Sequence, residues 1–272
     1  MSSKAFGGTC CETDEMNGMT MDEEKRLWQR IDRRFVKGVV EYGLIADGDR
    51  ILVGLSGGKD SMALLELLAR RARIYKPCFS VVAVHVVMTN IPYQSDVDYL
   101  RAFAQELGVP FVVYETGFDA STDSRKSPCF LCSWNRRKAL FTVAKEQGCN
   151  KIALGHHMDD ILETLLMNLT FQGAFSTMPP RLVMKKFDMT IIRPMCLVHE
   201  ADLLELATLR GYRPQVKNCP YEHESHRSSM KGVLKQLEAM NPEARYSLWG
   251  SMSNVQDDLL PRKYAAGDVS EQ

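Results

Sequence analysis

The chain has 272 residues, of which 45% are hydrophobic and 25% charged, and these ordinary values exclude a largely disordered protein. No apolar run approaches the roughly eighteen residues that a membrane-spanning helix needs, and the N-terminus lacks the apolar core of a secretory signal. We therefore expect a cytoplasmic protein without a membrane partner. In that reducing compartment the eight cysteines indicate metal binding, redox chemistry or simple burial rather than disulfide bonds.

Acidic and basic side chains balance, with 34 of each, but they are unevenly distributed. The two ends, residues 1–24 and 255–272, hold ten of the acidic side chains and only three of the basic ones. The body between them therefore carries a net charge of +7. This charge is compatible with a nucleic-acid partner but does not demonstrate one.

A helix is predicted from Asp22, after a tail that shows no periodicity. Apolar side chains recur every four residues and predict its buried stripe: Leu27, Ile31, Phe35 and Val39. Basic side chains form a ridge on another face: Arg26, Arg30, Arg33 and Lys37. This ridge is either a solvated helix face or a surface that contacts phosphates.

Short apolar runs then alternate with helical patterns. The predicted strands are 51–55, 81–87, 111–114, 152–154 and 190–192, and the predicted helices are 61–73, 97–107, 136–147 and 159–171. Such alternation predicts an α/β fold, a doubly wound and mostly parallel five-stranded sheet of Rossmann type with helices on both faces. Three further helices are predicted at 200–209, 230–240 and 242–254.

The strongest local signal is the sequence SGGKDS at residues 56–61, directly between a strand and a helix. Its glycines let the backbone turn sharply and approach a ligand, and the helix start offers unpaired N–H groups and the positive end of the helix dipole. Ser56, Ser61 and Lys59 add donors and a cation. Asp60 would repel a bare phosphate and therefore indicates bound Mg²⁺. The alternative is a glycine-rich turn without a ligand.

A second polar motif, GHHMDDILET at residues 155–164, follows the fourth predicted strand. Asp159, Asp160 and Glu163 are spaced to share one helical face, where they either hold Mg²⁺ or favour the helix start as caps. A zinc site that includes His156 and His157 has less support, because adjacent histidines at a strand end diverge.

Cys129 and Cys132 form a CxxC pair at a predicted transition from loop to helix, where the helix dipole favours the thiolate that ligates metal. The pair either ligates a metal or works as a redox pair, although a zinc site of paired cysteines would need another CxxC, which the sequence lacks. Cys219 precedes a proline, as does the last ligand of bacterial ferredoxin runs. Three other cysteines are expected to be buried as small hydrophobic residues: Cys78, Cys149 and Cys196.

SGGKDS resembles the SGGxDS signature of the PP-loop ATP pyrophosphatases, and GHHMDDILETLLMNLTFQG looks like a motif of their tRNA 2-thiocytidine synthetase branch. Matches to this branch continue at 48–51, 178–182 and 191–194. The resemblance implies an enzyme that cleaves ATP between its α and β phosphates and leaves AMP on the substrate. The residues assigned to ATP binding are Ser56, Gly57, Gly58, Lys59, Asp60, Ser61, His85 and Gly155. The residues assigned to catalysis are Lys59, Asp60 and Asp160.

In the resembled branch, three cysteines in this arrangement hold a [4Fe–4S] cluster, which implies Cys129, Cys132 and Cys219 as ligands here. The implied activity is that of a tRNA sulfurtransferase, which adenylates a tRNA cytidine at position 32 and replaces its C2 oxygen with sulfur. The first-helix ridge, together with Arg136, Arg137 and Lys138, would contact tRNA phosphates. A cysteine desulfurase or other sulfur donor and an electron donor are expected partners, and a homodimer is compatible with the sequence.

The sequence departs from the branch around Cys219, which is followed by Pro220 and lacks the usual second CxxC. Two rival functions therefore stay open. One is a PP-loop enzyme that acts on another base or a small molecule, and the other is a redox or sensory protein that binds nucleotide and a cluster.

These patterns divide the chain into five predicted parts. They are a flexible tail (1–21), a basic amphipathic helix (22–47), an ATP-binding α/β domain with the CxxC (48–195), a helical part with the third cysteine (196–254) and an acidic tail (255–272). We thus expect one α/β domain with helical additions at both ends.

Overall fold

The computed structural model describes residues 21–91, 96–118, 127–213 and 226–261. Cys219 and the two tail cysteines, Cys10 and Cys11, lie outside these ranges. The strands are β1 (Arg50–Gly54), β2 (Ser80–Met88), β3 (Phe111–Thr116), β4 (Lys151–Ala153), β5 (Arg181–Met184) and β6 (Met189–Ile192). The α-helices are α1 (Met21–Glu41), α2 (Lys59–Ala72), α3 (Val97–Glu106), α4 (Pro128–Glu146), α5 (Met158–Met167), α6 (Glu200–Leu209), α7 (His226–Met240) and α8 (Ala244–Ser251).

The six strands form one sheet in the order β3-β2-β1-β4-β6-β5. Neighbouring strands are parallel except β5, which pairs antiparallel with β6 at the edge. The predicted α/β fold with a mostly parallel sheet is confirmed, but the predicted count of five strands is wrong. The missed strand β5 has mostly exposed side chains, such as Val183, and therefore shows no buried apolar run.

Both faces of the sheet are covered, because successive side chains of a strand point to opposite sides. Ile51 and Val53 pack in the core that α1, α2 and α6 share, whereas Leu52 packs with Val143 and Ala144 of α4. All four residues of the apolar stripe predicted for α1 are buried in the first of these cores. The helical additions therefore pack directly on the α/β body.

Helix α4 begins at Pro128, eight residues before the start predicted from the sequence. The Ser127 hydroxyl caps it by accepting the Phe130 N–H at 3.3 Å, and proline suits the first helical position because its missing N–H is not needed there. The CxxC pair thus lies in the first two turns of the helix, at the predicted transition from loop to helix. No helix in the described part of the chain is long and apolar enough to cross a membrane.

A buried ion pair joins the amino ends of β1 and β4. Lys151 Nζ lies 2.6 Å from an Asp49 carboxylate oxygen and donates to the Leu44 carbonyl at 2.8 Å. Asp49 also accepts hydrogen bonds from the Ala46 N–H and the Asn150 side chain. Burial acts to raise the pKa of Asp49, but these donors outweigh it and leave the pKa below its ordinary value.

We predict that Asp49→Asn lowers the free energy of unfolding by about 3 kcal/mol at neutral pH, because it leaves the Lys151 ammonium buried without its counter-charge. Since the carboxyl pKa is lowered by folding, its contribution is complete above the ordinary aspartate pKa. It is lost as the pH falls through the folded-state pKa. Urea unfolding measured from neutral to acidic pH should show the difference between the two proteins shrinking in acid.

Lys76→Met is the matched control, because Lys76 forms an exposed pair with Asp47 and exposed pairs contribute less than about 1 kcal/mol. If both variants lost equal stability, or if the loss in Asp49→Asn did not change with pH, the stabilising role assigned to the Asp49–Lys151 pair would be contradicted.

Candidate active site

The SGGKDS sequence forms the turn that connects β1 to α2. Gly57 has φ +85°, a left-handed conformation that glycine adopts without strain. Gly58 is the N-cap of α2 and has no side chain to cap it. The first N–H groups of α2 therefore stay available to a ligand at the carboxyl edge of the sheet.

Two serine hydroxyls hold the shape of this turn. The Ser61 hydroxyl donates to the Gly58 carbonyl at 2.9 Å and accepts the Ser56 N–H at 3.2 Å. The Ser56 hydroxyl donates to Ser61 Oγ at 3.1 Å and accepts the Gly58 N–H at 3.3 Å. The loop is thus preorganised by its own side chains.

Gly155, the first residue of the GHHMDD motif, packs against the backbone of this loop. A Cβ atom on Gly155 would lie 3.2 Å from the carbonyl carbon and oxygen of Asp60 and 3.3 Å from the Ser61 nitrogen. The adjacency of β1 and β4 brings the two motifs together, since parallel strands end at the same edge of the sheet.

Lys59 is shared between two carboxylates. Its Nζ lies 3.0 Å from Asp60 Oδ1 and 3.5 Å from Glu200 Oε1. Glu200 also accepts from Lys231 Nζ at 2.5 Å. Burial acts to raise the pKa of Glu200, but Lys231 and Lys59 outweigh it and the net pKa is lowered, so Glu200 is ionised at neutral pH. Sequence reasoning missed Glu200, whose only local signal is its place in the first turn of α6.

His157 lies between the two predicted catalytic aspartates. Its Nε2 atom is 3.9 Å from Asp60 Oδ1 and 3.5 Å from Asp160 Oδ2. Asp160 and His157 also form the capping box of α5, in which the His157 N–H donates to Asp160 Oδ2 at 3.0 Å. Asp60 Oδ1 is buried and accepts no hydrogen bond of good geometry from a described residue, although Lys59 Nζ lies 3.0 Å from it; the Lys59 hydrogen bond goes to Oδ2 at 3.1 Å.

Asp159 has a different role from the one its spacing predicted. It pairs with the Arg245 guanidinium of α8 and accepts the Glu200 N–H at 2.8 Å. Burial acts to raise the pKa of Asp159, yet these bonds lower it overall. Asp159 is thus engaged by Arg245 and the Glu200 N–H, and no group of three such donors is placed to hold a metal within the described ranges. A magnesium site at these acids stays a prediction. The capping alternative is confirmed for Asp160.

A cleft of about 120 Å³ opens beside the loop. It is lined by Gly54, Leu55, Ser56, Val84, His85, Val86, Arg136 and Leu140. His85 Nδ1 lies 2.7 Å from the Leu55 carbonyl, which only accepts, so Nδ1 carries the proton. Burial and the nearby Arg136 charge lower the pKa of His85, against the opposing effect of the Leu55 bond. His85 is thus neutral, and its buried Nε2 is an acceptor without a partner among the described residues.

The two CxxC cysteines lie at the start of α4, close in sequence to the cleft-lining Arg136 and Leu140. Cys129 is exposed and Cys132 half-buried, and neither forms a disulfide within the described residues. Residues three or four apart share a face of a helix, so Cys129, Cys132 and Arg136 lie on the same side of α4 as Leu140. The third predicted ligand, Cys219, lies outside the described residues.

The remaining cysteines in the described ranges are partly as predicted. Cys149 and Cys196 are buried, and burial raises the pKa of the Cys196 thiol to about 12. Cys78 is exposed, so its predicted burial is wrong. Cys78 lies in the loop before β2, and its N–H donates to an Asp47 carboxylate oxygen of the loop before β1. Polar contacts rather than core packing therefore hold this residue.

The basic ridge of α1 is not a row of equivalent free cations. Arg30 donates to Asp202 at 2.9 Å and to Glu205 at 3.3 Å, and so it ties α1 to α6. Sequence spacing could not reveal these partners, because they are separated from Arg30 by more than 170 residues.

The other predicted phosphate contacts lie in two places. On α1, Arg26 and Lys37 are exposed and pair only with acids one turn away, and Arg33 makes no ion pair within the described part of the chain. On α4, Arg137 and Lys138 are exposed, whereas Arg136 lines the cleft.

The fold and the phosphate loop define a nucleotide-binding protein of the PP-loop class. A family model described as a PP-loop domain matches residues 27–215. A tRNA-cytidine(32) 2-sulfurtransferase from Syntrophotalea carbinolica is 36% identical over 239 residues, which cover 86% of this chain and 92% of that protein. The protein of the same name from Vibrio cholerae is 33% identical over 249 residues, which cover 90% of this chain and 80% of that protein.

The chain belongs to the PP-loop family, in the branch of the tRNA-cytidine(32) 2-sulfurtransferases. Among solved structures, the U34-tRNA thiolase NcsA from Methanococcus maripaludis, with its [4Fe-4S] cluster, has a similar fold. The TM-score is 0.68 at 24% identity, over 88% of this chain and 82% of that chain. The resemblance inferred from the two motifs is thus confirmed.

We predict that Gly155→Ala weakens ATP binding roughly tenfold, about 1.4 kcal/mol, without unfolding the protein. The added methyl group would push the Asp60–Ser61 backbone by a few tenths of an ångström and disturb the preorganised loop. Isothermal titration with ATP and a thermal melt measure the two effects. Gly232→Ala is the control, because the added methyl on α7 meets no atom within 4 Å. Unchanged ATP affinity in Gly155→Ala would contradict a role for this contact.

Proposed function

We propose that this protein is an ATP-dependent tRNA sulfurtransferase that replaces the C2 oxygen of cytidine 32 with sulfur. Its family branch supports ATP-dependent tRNA thiolation. The observation that carries the proposal is the position of Cys129 and Cys132 on the same side of α4 as Arg136 and Leu140, which line the cleft beside the phosphate loop. One helix thus serves both activation by ATP and delivery of sulfur.

In this proposal the loop binds the pyrophosphate part of ATP. The open N–H groups of α2 and the Lys59 ammonium supply donors and positive charge, and the Ser56 and Ser61 hydroxyls, which donate within the loop, hold its shape. The cleft would hold the adenine, because Ser56 of the phosphate loop forms part of its lining. The cytidine C2 oxygen then attacks the α-phosphorus and pyrophosphate leaves into the loop.

Asp60 and Asp160 fit a Mg²⁺ ion that accompanies ATP. The Asp60 Oδ1 atom is buried without a good hydrogen bond, and both carboxylates flank the same edge of His157. Mg²⁺ needs only one or two carboxylates when phosphates and waters complete its shell. When bound, it would neutralise charge on the departing pyrophosphate.

Cys129, Cys132 and Cys219 would hold the [4Fe–4S] cluster. The first two fit such a site, because they lie three residues apart on one turn of α4. A cluster with three cysteine ligands leaves one iron position free to carry sulfur. Sulfur and electrons would come from outside donors, such as a cysteine desulfurase for the sulfur. A tRNA substrate also fits the cytoplasmic location predicted from the sequence.

Contacts with tRNA phosphates are proposed for the exposed cations rather than for the whole predicted set. Arg33, Arg137 and Lys138 make no ion pair within the described ranges, and Arg26 and Lys37 have weak surface pairs. Arg30 would have to give up two carboxylates to contact RNA. Arg136 is better placed to contact the nucleotide or the activated base.

Mass spectrometry of tRNA nucleosides from a deletion strain tests this function. We expect 2-thiocytidine to disappear and to return with the wild-type gene, but not with Cys129→Ser, Cys132→Ser or Cys219→Ser, because each variant removes a cluster ligand. Cys78→Ser should restore 2-thiocytidine fully, since Cys78 is exposed like Cys129 but lies before the start of β2, at the edge of the sheet opposite the phosphate loop.

Other outcomes of the same experiment select a rival function. Loss of a different thionucleoside would indicate another target base. No loss of any thionucleoside would favour a redox or sensory protein that binds nucleotide and a cluster.

A second prediction concerns His85, whose neutral Nε2 would accept from the adenine 6-amino group in this proposal. Wild-type protein should bind ATP at least tenfold more tightly than purine riboside triphosphate, which lacks that group. The reason is that an unsatisfied buried acceptor costs about 1–3 kcal/mol. His85→Ala should bind both nucleotides with similar affinity. Val86→Ala is the control: it enlarges the same cleft but keeps the acceptor, so it should retain the preference for ATP. If His85→Ala also kept that preference, the role of His85 as the acceptor would be refuted.

A further inference from the structure

The first two turns of α4 expose two aromatic side chains. Phe130 is 45% exposed and Trp134 is 55% exposed. Because they are four residues apart, their rings are neighbours on one face of the helix. Two adjacent exposed aromatic rings place a large apolar area in water, which is typical of a contact surface.

Two cations continue this face toward the C-terminal end of the helix. Arg137 and Lys138 follow Trp134 by three and four residues and are both exposed. Neither makes an ion pair with a carboxylate in the described part of the chain, and Arg137 bonds only to Ser133 of its own helix. The helix contains no acidic residue before Glu146. We call Phe130, Trp134, Arg137 and Lys138 the aromatic–basic face.

The composition of this face indicates the chemistry of its partner. Exposed cations without counter-charges favour an anionic partner. Flat exposed rings favour a partner that offers unpaired π-systems, since unpaired nucleobases stack on aromatic side chains whatever their sequence. A single-stranded stretch of RNA has both properties, whereas an acidic peptide offers the charge but no bases.

The orientation of the face limits which base it meets. Trp134 and Arg136 are two residues apart, about 200° around the helix, so they point to opposite sides of α4. Arg136 lines the cleft, and the aromatic–basic face therefore points away from the site of activation. A base bound there is not the base that reacts.

We infer that Phe130 and Trp134 form a stacking platform for an unpaired base of the substrate RNA loop other than the target cytidine, and that Arg137 and Lys138 contact the adjoining phosphates. This inference rests on the proposed function, because it requires an RNA substrate. It adds a binding surface to that function. By binding another base of the same RNA loop, the platform would help to hold that RNA loop in an unpaired conformation at the start of α4.

Binding of an anticodon stem–loop that contains cytidine 32 tests the inference. We expect Trp134→Ala and Phe130→Ala each to weaken binding about tenfold or more, in line with the loss of base stacking, and Trp134→Phe to restore most of the affinity. ATP binding should not change. Tyr75→Ala is the control, because Tyr75 is 87% exposed and lies in the loop after α2, away from the site.

A set of stem–loops with one base removed at a time identifies the stacked base. Removal at one position other than 32 should weaken binding to wild type about as much as Trp134→Ala does, and should have no further effect on the variant. Affinity unchanged in Trp134→Ala, or abasic losses of equal size in wild type and variant, would overturn the inference.

Failure of the inference is distinguishable from failure of the proposed function. If the wild-type protein thiolates cytidine 32 and Trp134→Ala binds the stem–loop equally well, only the platform is refuted. If the wild-type protein neither binds nor thiolates the RNA, the proposed function itself fails.

Discussion

The contact between two backbone turns, at the ends of the neighbouring strands β1 and β4, is the constraint on which the site depends. Gly155 can lie against Asp60 and Ser61 only because it has no side chain. The contact brings together the starts of α2 and α5, and both helices direct their positive ends to the same edge of the sheet. An anion bound there would meet two helix dipoles. Asp60 and Asp160 lie in the first turns of these two helices and would repel a bare anion. A bound anion would therefore need an accompanying cation.

A network of ion pairs connects this edge to the C-terminal helices. Lys59 of the loop is held by Glu200 of α6, and Glu200 is held by Lys231 of α7. A polyphosphate at Lys59 would compete with Glu200, so nucleotide binding would act on the same carboxylate that anchors α7. The segment with Cys219 runs between α6 and α7 in sequence. The proposed third cluster ligand is therefore flanked on both sides by helices that belong to the nucleotide site's own charge network.

The sequence predicted those parts of the fold and site whose signals are local. The strands β1 and β2 are buried on both faces and read as apolar runs, and SGGKDS carries its turn and helix start within six residues. The edge strand β5 was missed because exposed strands lack that run. Side-chain roles set by distant partners were missed as well. Asp159 and Asp160 are adjacent and both lie within four residues of His157 and Glu163, and it is the contact of Asp159 with Arg245 on α8 that separates their roles.

The early start of α4 has a related physical cause. Only Leu131 is buried in its first two turns, whereas Ala139, Val143 and Ala144 are buried farther along. The first half of the helix therefore carries the two CxxC cysteines and an exposed aromatic surface instead of an apolar stripe. It is held by local bonds, such as those from the Asn135 amide to the Leu131 carbonyl at 2.9 Å and from the Ser133 hydroxyl to the Phe130 carbonyl at 2.9 Å. This half of α4 has few buried side chains and is therefore accessible from solvent. For the same reason it lacks the apolar repeat from which the start of the helix would be predicted.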